Sequence, residues 1–447
     1  MVKDSVLAVN EKNLSSLISN TGIDIVFNSV FSGGAYTFLL NKSHKTPILL
    51  IDTSKTVANN MVQGFLIHQG VSKAISSFNL PMFIEKYKVS AFEINHLIWS
   101  SDIKQWMEYI INIIDKHEIK VTIYIHDFFT VCPTINLLNH ENRYCGIPSS
   151  SECDKCISAY PQNVENRAIV DLVGYMEYIH NDQIKLWRDF WSELFDRSNK
   201  IIFPSASAMN LWKKAYSYDS DKLSIMHHDL EYISKIKKHS LKEQGRTSFY
   251  NVYIVGDVVP QKGSHIVAEL LEILESKRLP ICLNVLGGYH NDKYSQTPYL
   301  KLHGRYEHDK ISDILNNSHI DCFLMLSICP ETFSYTTQEM IATGLPIISF
   351  NIGAQAEFVS SYQNGVVIQY GFDATSVFAE IEKLYIAKRH ELVKNLSKND
   401  DLIEKLIVQY DNIMVENKQL LLDKLEENTE PKKSNLRNWL GLLKFSK

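Results

Sequence analysis

Short apolar runs alternate with amphipathic helical patterns along almost the whole chain, in two series parted by a polar stretch at 234–248. This alternation limits the possible folds more than any other feature. Strands joined through helices run parallel, and helices cover a parallel sheet on both faces, so its strands read as unbroken apolar runs. The first series is 23–28, 46–51, 89–94, 120–126 and 201–203. The second is 250–255, 281–286, 321–326, 346–349 and 365–368. The stretch between them is rich in Lys, Ser, Glu and Gly, as a linker is. With 447 residues the chain is too long for one core. The expectation is an α/β protein of two Rossmann-like units, with the working cleft beyond the carboxyl ends of the strands.

Composition narrows the class. Hydrophobic residues make up 45% and charged residues 22%, ordinary values for a globular protein. A net charge of −5 gives no reason to expect nucleic acid as a partner. No apolar run reaches the roughly 18 residues of a membrane span. Residues 1–18 lack a signal-peptide core, and seven cysteines without such a signal fit a reducing compartment. A cytoplasmic protein is expected.

The chemistry is densest at 330–346, which reads Pro-Glu-Thr-Phe-Ser-Tyr-Thr-Thr-Gln-Glu-Met-Ile-Ala-Thr-Gly-Leu-Pro. The run 321–326 leads in as a buried strand, and 334–343 reads as a helix stopped by Gly344 and Pro346. Glu331 falls at the turn and Glu339 about two turns along, so both carboxylates can face one cleft. Between them the first N–H groups of the helix have no intrahelical partner and form a seat for phosphate. This segment resembles the Glu-x7-Glu motif of retaining GT-B glycosyltransferases, glycosyltransferase family 4 in particular, and its wording resembles a bacterial cell-surface polysaccharide branch. The resemblance covers most of the chain and is stronger in the second half. It implies two Rossmann-like units facing across a cleft: an acceptor domain at 1–233, a linker at 234–248 and a donor domain at 249–399. A helix at 400–428 would return to the first domain, leaving a basic amphipathic tail at 429–447.

By the same resemblance Glu339 holds the ribose hydroxyls, Glu331 contacts the sugar, and Phe333, Ser334 and Tyr335 present backbone amides to the diphosphate. Lys262, in Lys262-Gly263 after the strand at 250–255, is a point charge suited to that diphosphate. The family pairs such a lysine with an arginine where this chain has Asp257; Arg305 is a candidate replacement, or an ordinary surface residue. Gly353-Ala354 with Glu357 resembles the family's Gly-Gly-x-x-Glu segment near the donor. In the first half, Ser32-Gly33-Gly34 makes a glycine-rich turn at the first strand–helix junction, with Gly33 and Gly34 able to approach a diphosphate or acceptor. The family's His-x-His doublet falls on Glu93-Ile94-Asn95-His96, with Glu93 in place of the first histidine and Asn95 or His96 matching the second. His126, in His126-Asp127-Phe128, stands at the next strand end, where it either bonds a sugar hydroxyl or leaving phosphate or is satisfied by backbone.

Two features lie outside this scheme. Cys132, Cys145, Cys153 and Cys156 fall in a long polar loop, either as a structural zinc site or as a cysteine-rich loop without metal. The tail at 431–447 interleaves Lys and Arg with Leu, Trp and Phe, as a helix lying on an anionic leaflet does; a frayed end or a subunit contact fits equally. The expected activity is transfer of a sugar, with retention, from a nucleotide diphosphate-sugar to a glycan or lipid-linked glycan at the inner face of the membrane. No cofactor is expected for catalysis, since Lys262 and the helix amides serve the leaving group. A non-catalytic GT-B module and a nucleotide-sugar 2-epimerase are the alternatives. A dehydrogenase is disfavoured, because no Gly-x-Gly-x-x-Gly follows the first strand.

Overall fold

A computed structural model describes residues 23–159, 184–239, 249–290, 297–369, 371 and 373–396. The first half runs β1 (Asp24–Asn28), α1 (Gly33–Lys42), β2 (Ile48–Asp52), β3 (Met61–His68), β4 (Val71–Asn79), α2 (Leu80–Tyr87), β5 (Ala91–His96), α3 (Ile103–His117), β6 (Lys120–Tyr124), α4 (Ser150–Ala159), α5 (Ile184–Arg197), β7 (Lys200–Phe203), α6 (Ala206–Trp212) and β8 (Leu223–Ile225). Its eight strands lie in the order β4-β3-β2-β1-β5-β6-β7-β8. All pair in parallel except the hairpin β3–β4, which adds antiparallel to the edge at β2.

The second half runs β9 (Tyr250–Val255), α7 (Ser264–Lys277), β10 (Ile281–Leu286), β11 (Leu300–Leu302), α8 (Ile311–Asn316), β12 (Cys322–Met325), α9 (Tyr335–Ala342), β13 (Ile347–Phe350), α10 (Gly353–Ser360), β14 (Gly365–Ile368) and α11 (Ala374–Leu396). Its six strands are all parallel, in the order β11-β10-β9-β12-β13-β14.

Burial on both faces explains the apolar runs. In β1, Ile25 and Phe27 enter a core with α3 and α5, while Val26 enters a separate core with Phe38 and Leu39 of α1. In β9, Val252 and Ile254 pack on the α7 side, and Tyr253 and Val255 on the other face with α8. Each such side chain contributes roughly 1.5–3 kcal/mol by leaving water. The helices carry their own stops. Asp102 accepts from Gln105 N at 2.9 Å to cap α3, and Glu118 ends it in the left-handed region at φ 51°.

All ten expected strands are present, each within two residues of its expected ends. The β3–β4 hairpin, β8 and β11 were not expected. The hairpin turns on Gln69 and Gly70, both at positive φ, and its strands bury only part of one face, so their sequence carries no apolar run. The chain leaves β8 through a 3-10 turn at Glu231–Lys235, and Ile236 is already buried in the second half's core. The expected crossing helix at 400–428, the tail at 429–447 and residues 240–248 of the linker lie outside the described residues.

Candidate active site

The turn after β12 puts Glu331 to Tyr335 at the start of α9. Ser334, the residue before the helix, takes φ 66° and ψ 80°, a left-handed conformation that costs a non-glycine residue roughly 1–3 kcal/mol. A second layer holds the turn. Glu331 N donates to Gln355 Oε1 at 2.9 Å, Gln355 Nε2 donates to Cys329 O at 2.9 Å, and Ala354 N donates to Glu331 O at 2.9 Å. The Gly353-Ala354 segment therefore fixes the backbone of Glu331 from α10.

The Glu331 carboxylate accepts from Lys262 Nζ and from Ser327 Oγ at 2.7 Å. Burial pushes this carboxyl up, but the Lys262 ammonium, with hydrogen bonds from Lys262, Ser327 and Ser334, outweighs it and holds the group below its usual range. Gly263 aims the lysine: its φ is 79°, and a Cβ there would lie 2.4 Å from Leu326 O. Asp257 accepts from Gly288 N at 2.6 Å and pairs with Arg305 Nη2 at 2.7 Å. Both cations of this region thus stand against carboxylates.

Two turns along α9, Glu339 is only 1% exposed. Its Oε1 accepts from Tyr232 Oη at 2.6 Å and stands 3.5 Å from His308 Nε2; its Oε2 has no partner among the described residues. Burial raises this carboxyl from 4.5 to about 7, the Tyr232 hydrogen bond opposing the rise. The two motif glutamates are therefore in opposite states: one is a paired anion, the other a half-satisfied acid.

The first half meets this helix directly. Tyr335 Oη donates to Gly34 O at 3.1 Å, and a Cβ on Gly34 would fall 2.8 Å from the Tyr335 ring. Tyr335 opens α9, and Gly33 and Gly34 open α1, so two helix N-termini converge from opposite sheets, a favourable place for an anion. Because the Tyr335 proton goes to a carbonyl, its oxygen must accept from His228 Nδ1, 2.7 Å away. His228 is thereby assigned its proton on Nδ1, with Nε2 bare, and burial, then His227, pushes it down to about 4.

A second chain of bonds sets His126. Asn28 Nδ2 donates to Val30 O at 2.6 Å, Asn95 Nδ2 donates to Asn28 Oδ1 at 2.8 Å, and Asn95 Oδ1 therefore accepts from His126 Nε2 at 2.7 Å. His126 Nδ1 is left bare and buried, and burial, then His228 and His96, hold the ring well below its ordinary pKa. His96 is oriented by Ile98 N, which donates to Nδ1 at 3.2 Å, and by Asp127 Oδ2, 2.6 Å from Nε2. Glu93 turns away, bonding Lys42 and Tyr124 under α1, so it stands in for no site histidine. The halves are further joined by Thr332 Oγ1 on His126 O at 2.5 Å and Ser205 Oγ on Thr332 O at 2.7 Å. Glu357 caps α6 from across the cleft, accepting from Ala206 N at 3.2 Å and Ser207 N at 2.5 Å. An open cleft of about 500 Å³ follows, lined by Tyr144, Ser207, Asn210, Asn351, Gly353 and Glu357 among others.

Residues 236–401 match the family described as glycosyl transferases group 1. The whole chain is similar in fold to sucrose-phosphate synthase from Thermosynechococcus elongatus, at TM-score 0.52 and 9% identity over 91% of this chain and 99% of that one. It is likewise similar to HepE from Anabaena in complex with UDP, at TM-score 0.51 and 11% identity over 91% and 99%. The fold is GT-B. No curated protein matches the chain in sequence.

In this matched region the site residues expected from the sequence are brought together: Lys262 with Glu331, Phe333, Ser334 and Tyr335 at the start of α9, and Glu339 further along it. Gly34 and His126 meet this turn from the first half, at Tyr335 and Thr332, and His96 stands near His126, paired with Asp127. His228, Tyr232, Ser327 and Gln355 were not expected. The His227-His228 doublet beyond β8 was the one available signal; the others carry no local pattern. The four cysteines 132, 145, 153 and 156 are free thiols. Burial pushes Cys132 and Cys156 up to about 11 and raises the other two. Cys153 Sγ also lies 3.9 Å from Arg188 Nη2. Among the described residues no group of three or more His, Cys, Asp and Glu is placed to hold a metal ion, so these residues as arranged do not fit zinc.

Proposed function

We propose that the protein is a retaining glycosyltransferase that moves a sugar from a nucleotide diphosphate-sugar onto a glycan or lipid-linked glycan in surface polysaccharide synthesis. One observation carries the reading. Two helix N-termini from opposite sheets converge at Tyr335 and Gly34, beside a paired Glu331–Lys262 and a buried Glu339 with an unused oxygen. That arrangement supplies amide donors for a diphosphate, a carboxylate for ribose and a carboxylate for the sugar. Lys262 then exchanges Glu331 for the diphosphate when the donor arrives, which frees Glu331 for sugar hydroxyls. Donor amides and one lysine stabilise the leaving nucleotide by preorganised charge, and no metal is invoked. His96 and His126 of the first half hold the transferred sugar or acceptor, His126 offering a bare Nδ1. The 500 Å³ cleft beyond Glu357 is the proposed path for the acceptor.

UDP is the first nucleotide to test, since HepE binds it. No helix among the described residues is long and apolar enough to cross a membrane; access to a lipid-linked acceptor is proposed through the basic tail, from the cytoplasmic side. The test is a thermal-shift panel of UDP, GDP, ADP, CMP and their sugar conjugates on wild type and Glu339→Ala. A ligand of the native state at about 100 times its Kd stabilises by roughly 2.7 kcal/mol. Stabilisation by one nucleotide family, lost in the variant, is expected, and the anomeric configuration of the product then decides retention. No response to any nucleotide sinks the donor site and leaves a non-catalytic module.

A further inference from the structure

The segment that crosses from β8 to the second half touches the donor helix at two points a turn apart, through His228 on Tyr335 and Tyr232 on Glu339. It is anchored on both sides. Asn41 Nδ2 of α1 donates to Asp229 O at 3.1 Å, and Lys45 Nζ pairs with Asp229 at 2.9 Å. On the other side, Ser312 Oγ of α8 donates to Tyr232 O at 3.4 Å, and Ile236 is buried. The Tyr232 ring stands edge-on to His308 with centroids 4.8 Å apart. The phenol therefore has one place to put its hydroxyl, and that place is Oε1 of Glu339.

We propose that Tyr232 is a donor-positioning residue: its hydroxyl occupies Glu339 Oε1 and thereby presents the buried, unpartnered Oε2 to a ribose hydroxyl. A purely structural tyrosine–carboxylate bond gives no reason to leave the second oxygen of a buried carboxylate without a donor. A nucleoside supplies that donor, and the orientation of the carboxylate is set before it arrives. The inference rests on the reading of Glu339 as the ribose carboxylate. The titratable groups around Glu339 are Tyr232, His308, Tyr306 and Tyr335.

The experiment uses the full chain with whichever of UDP, GDP or ADP stabilises wild type most, and measures its Kd by calorimetry from pH 5 to 8. Tyr232→Phe keeps the ring and removes one hydroxyl. It is expected to weaken binding about tenfold, the effect of one lost hydrogen bond to a charged group. It is also expected to move the acidic limb of the binding profile to higher pH, because the Tyr232 bond favours the ionised Glu339. A role in folding alone lowers Tm and leaves the Kd on the alkaline plateau unchanged. Unchanged Kd and midpoint in Tyr232→Phe, with binding lost in Glu339→Ala, overturns this inference and leaves the glycosyltransferase reading intact. Undiminished binding in Glu339→Ala overturns both.

Discussion

Replacing Glu339 by Gln should make the protein more stable in alkaline than in acidic solution, relative to wild type. The carboxyl is 1% exposed and its folded-state pKa is raised from 4.5 to about 7 by burial. Between those values the folded protein keeps a proton that the unfolded chain releases, so wild-type stability falls as pH rises through this window. Below pH 4.5 both states are protonated and the penalty is absent; above pH 7 it is complete. At 1.36 kcal/mol per tenfold change in proton affinity, the rise amounts to roughly 3 kcal/mol. Glutamine cannot ionise, so the stability difference between variant and wild type should grow by about 2.5 kcal/mol from pH 5 to pH 8, the unfolded carboxyl being already largely ionised at pH 5. Any fixed cost of an amide beside Tyr232 appears at both pH values and cancels in the comparison. Differential scanning calorimetry is the suitable assay, because no tryptophan lies between Trp212 and Trp439 to report the second half by fluorescence. For a unit of this size the effect corresponds to a Tm difference of several degrees, on the order of 2–4 °C per kcal/mol. A Tm difference identical at pH 5 and pH 8 would refute the assignment of Glu339 as a buried, half-satisfied acid.

Three further outcomes are expected. Lys262→Met should lower nucleotide affinity about a hundredfold by calorimetry, and should also lower Tm, because Glu331 is left half-buried without its ion pair. Gly263→Ala should cost more than about 1–2 kcal/mol, the left-handed penalty alone, because its Cβ meets Leu326 O; a melt within one degree of wild type would contradict the geometry. Tyr335→Phe strands both Gly34 O and His228 Nδ1, so a loss of roughly 1–3 kcal/mol is expected. Small-angle scattering of that variant should show a larger radius of gyration if this bond helps hold the halves together.

Much of the frame was legible because the cause was local. Strands β9, β10 and β14 fall at their expected residues, since burial on both faces leaves an unbroken apolar run between turn residues. Helix α9 was legible from the strand before it and Gly344 after it, which takes φ 79°. The β3–β4 hairpin was not, because β3 has its buried residues spaced by exposed ones along the strand. The residues of the candidate donor site were legible by motif, but their states were not. Lys262 reads from the sequence as a point charge suited to a diphosphate, and in the fold it holds Glu331; Arg305 holds Asp257. Glu93, aligned with a histidine position, is committed to Lys42 beneath α1. The cysteine spacing left zinc open, and among the described residues no group of three or more ligands is placed to hold a metal ion.

The sequence by itself determined the parallel strands of the two sheets, the position of the Glu331–Glu339 helix start and the glycine turns at Gly33-Gly34 and Gly263. Each depends on neighbours within one strand, turn or helix, where periodicity and backbone sterics act. The tertiary structure decided which groups are paired and which nitrogen carries the proton of His126 and of His228. Those follow from contacts between residues far apart in the chain: Lys262 and Glu331 are 69 positions apart, Tyr232 and Glu339 are 107, and Gly34 and Tyr335 are 301. A pKa responds to burial and to the partner across the cleft, and neither is written in the residues beside it.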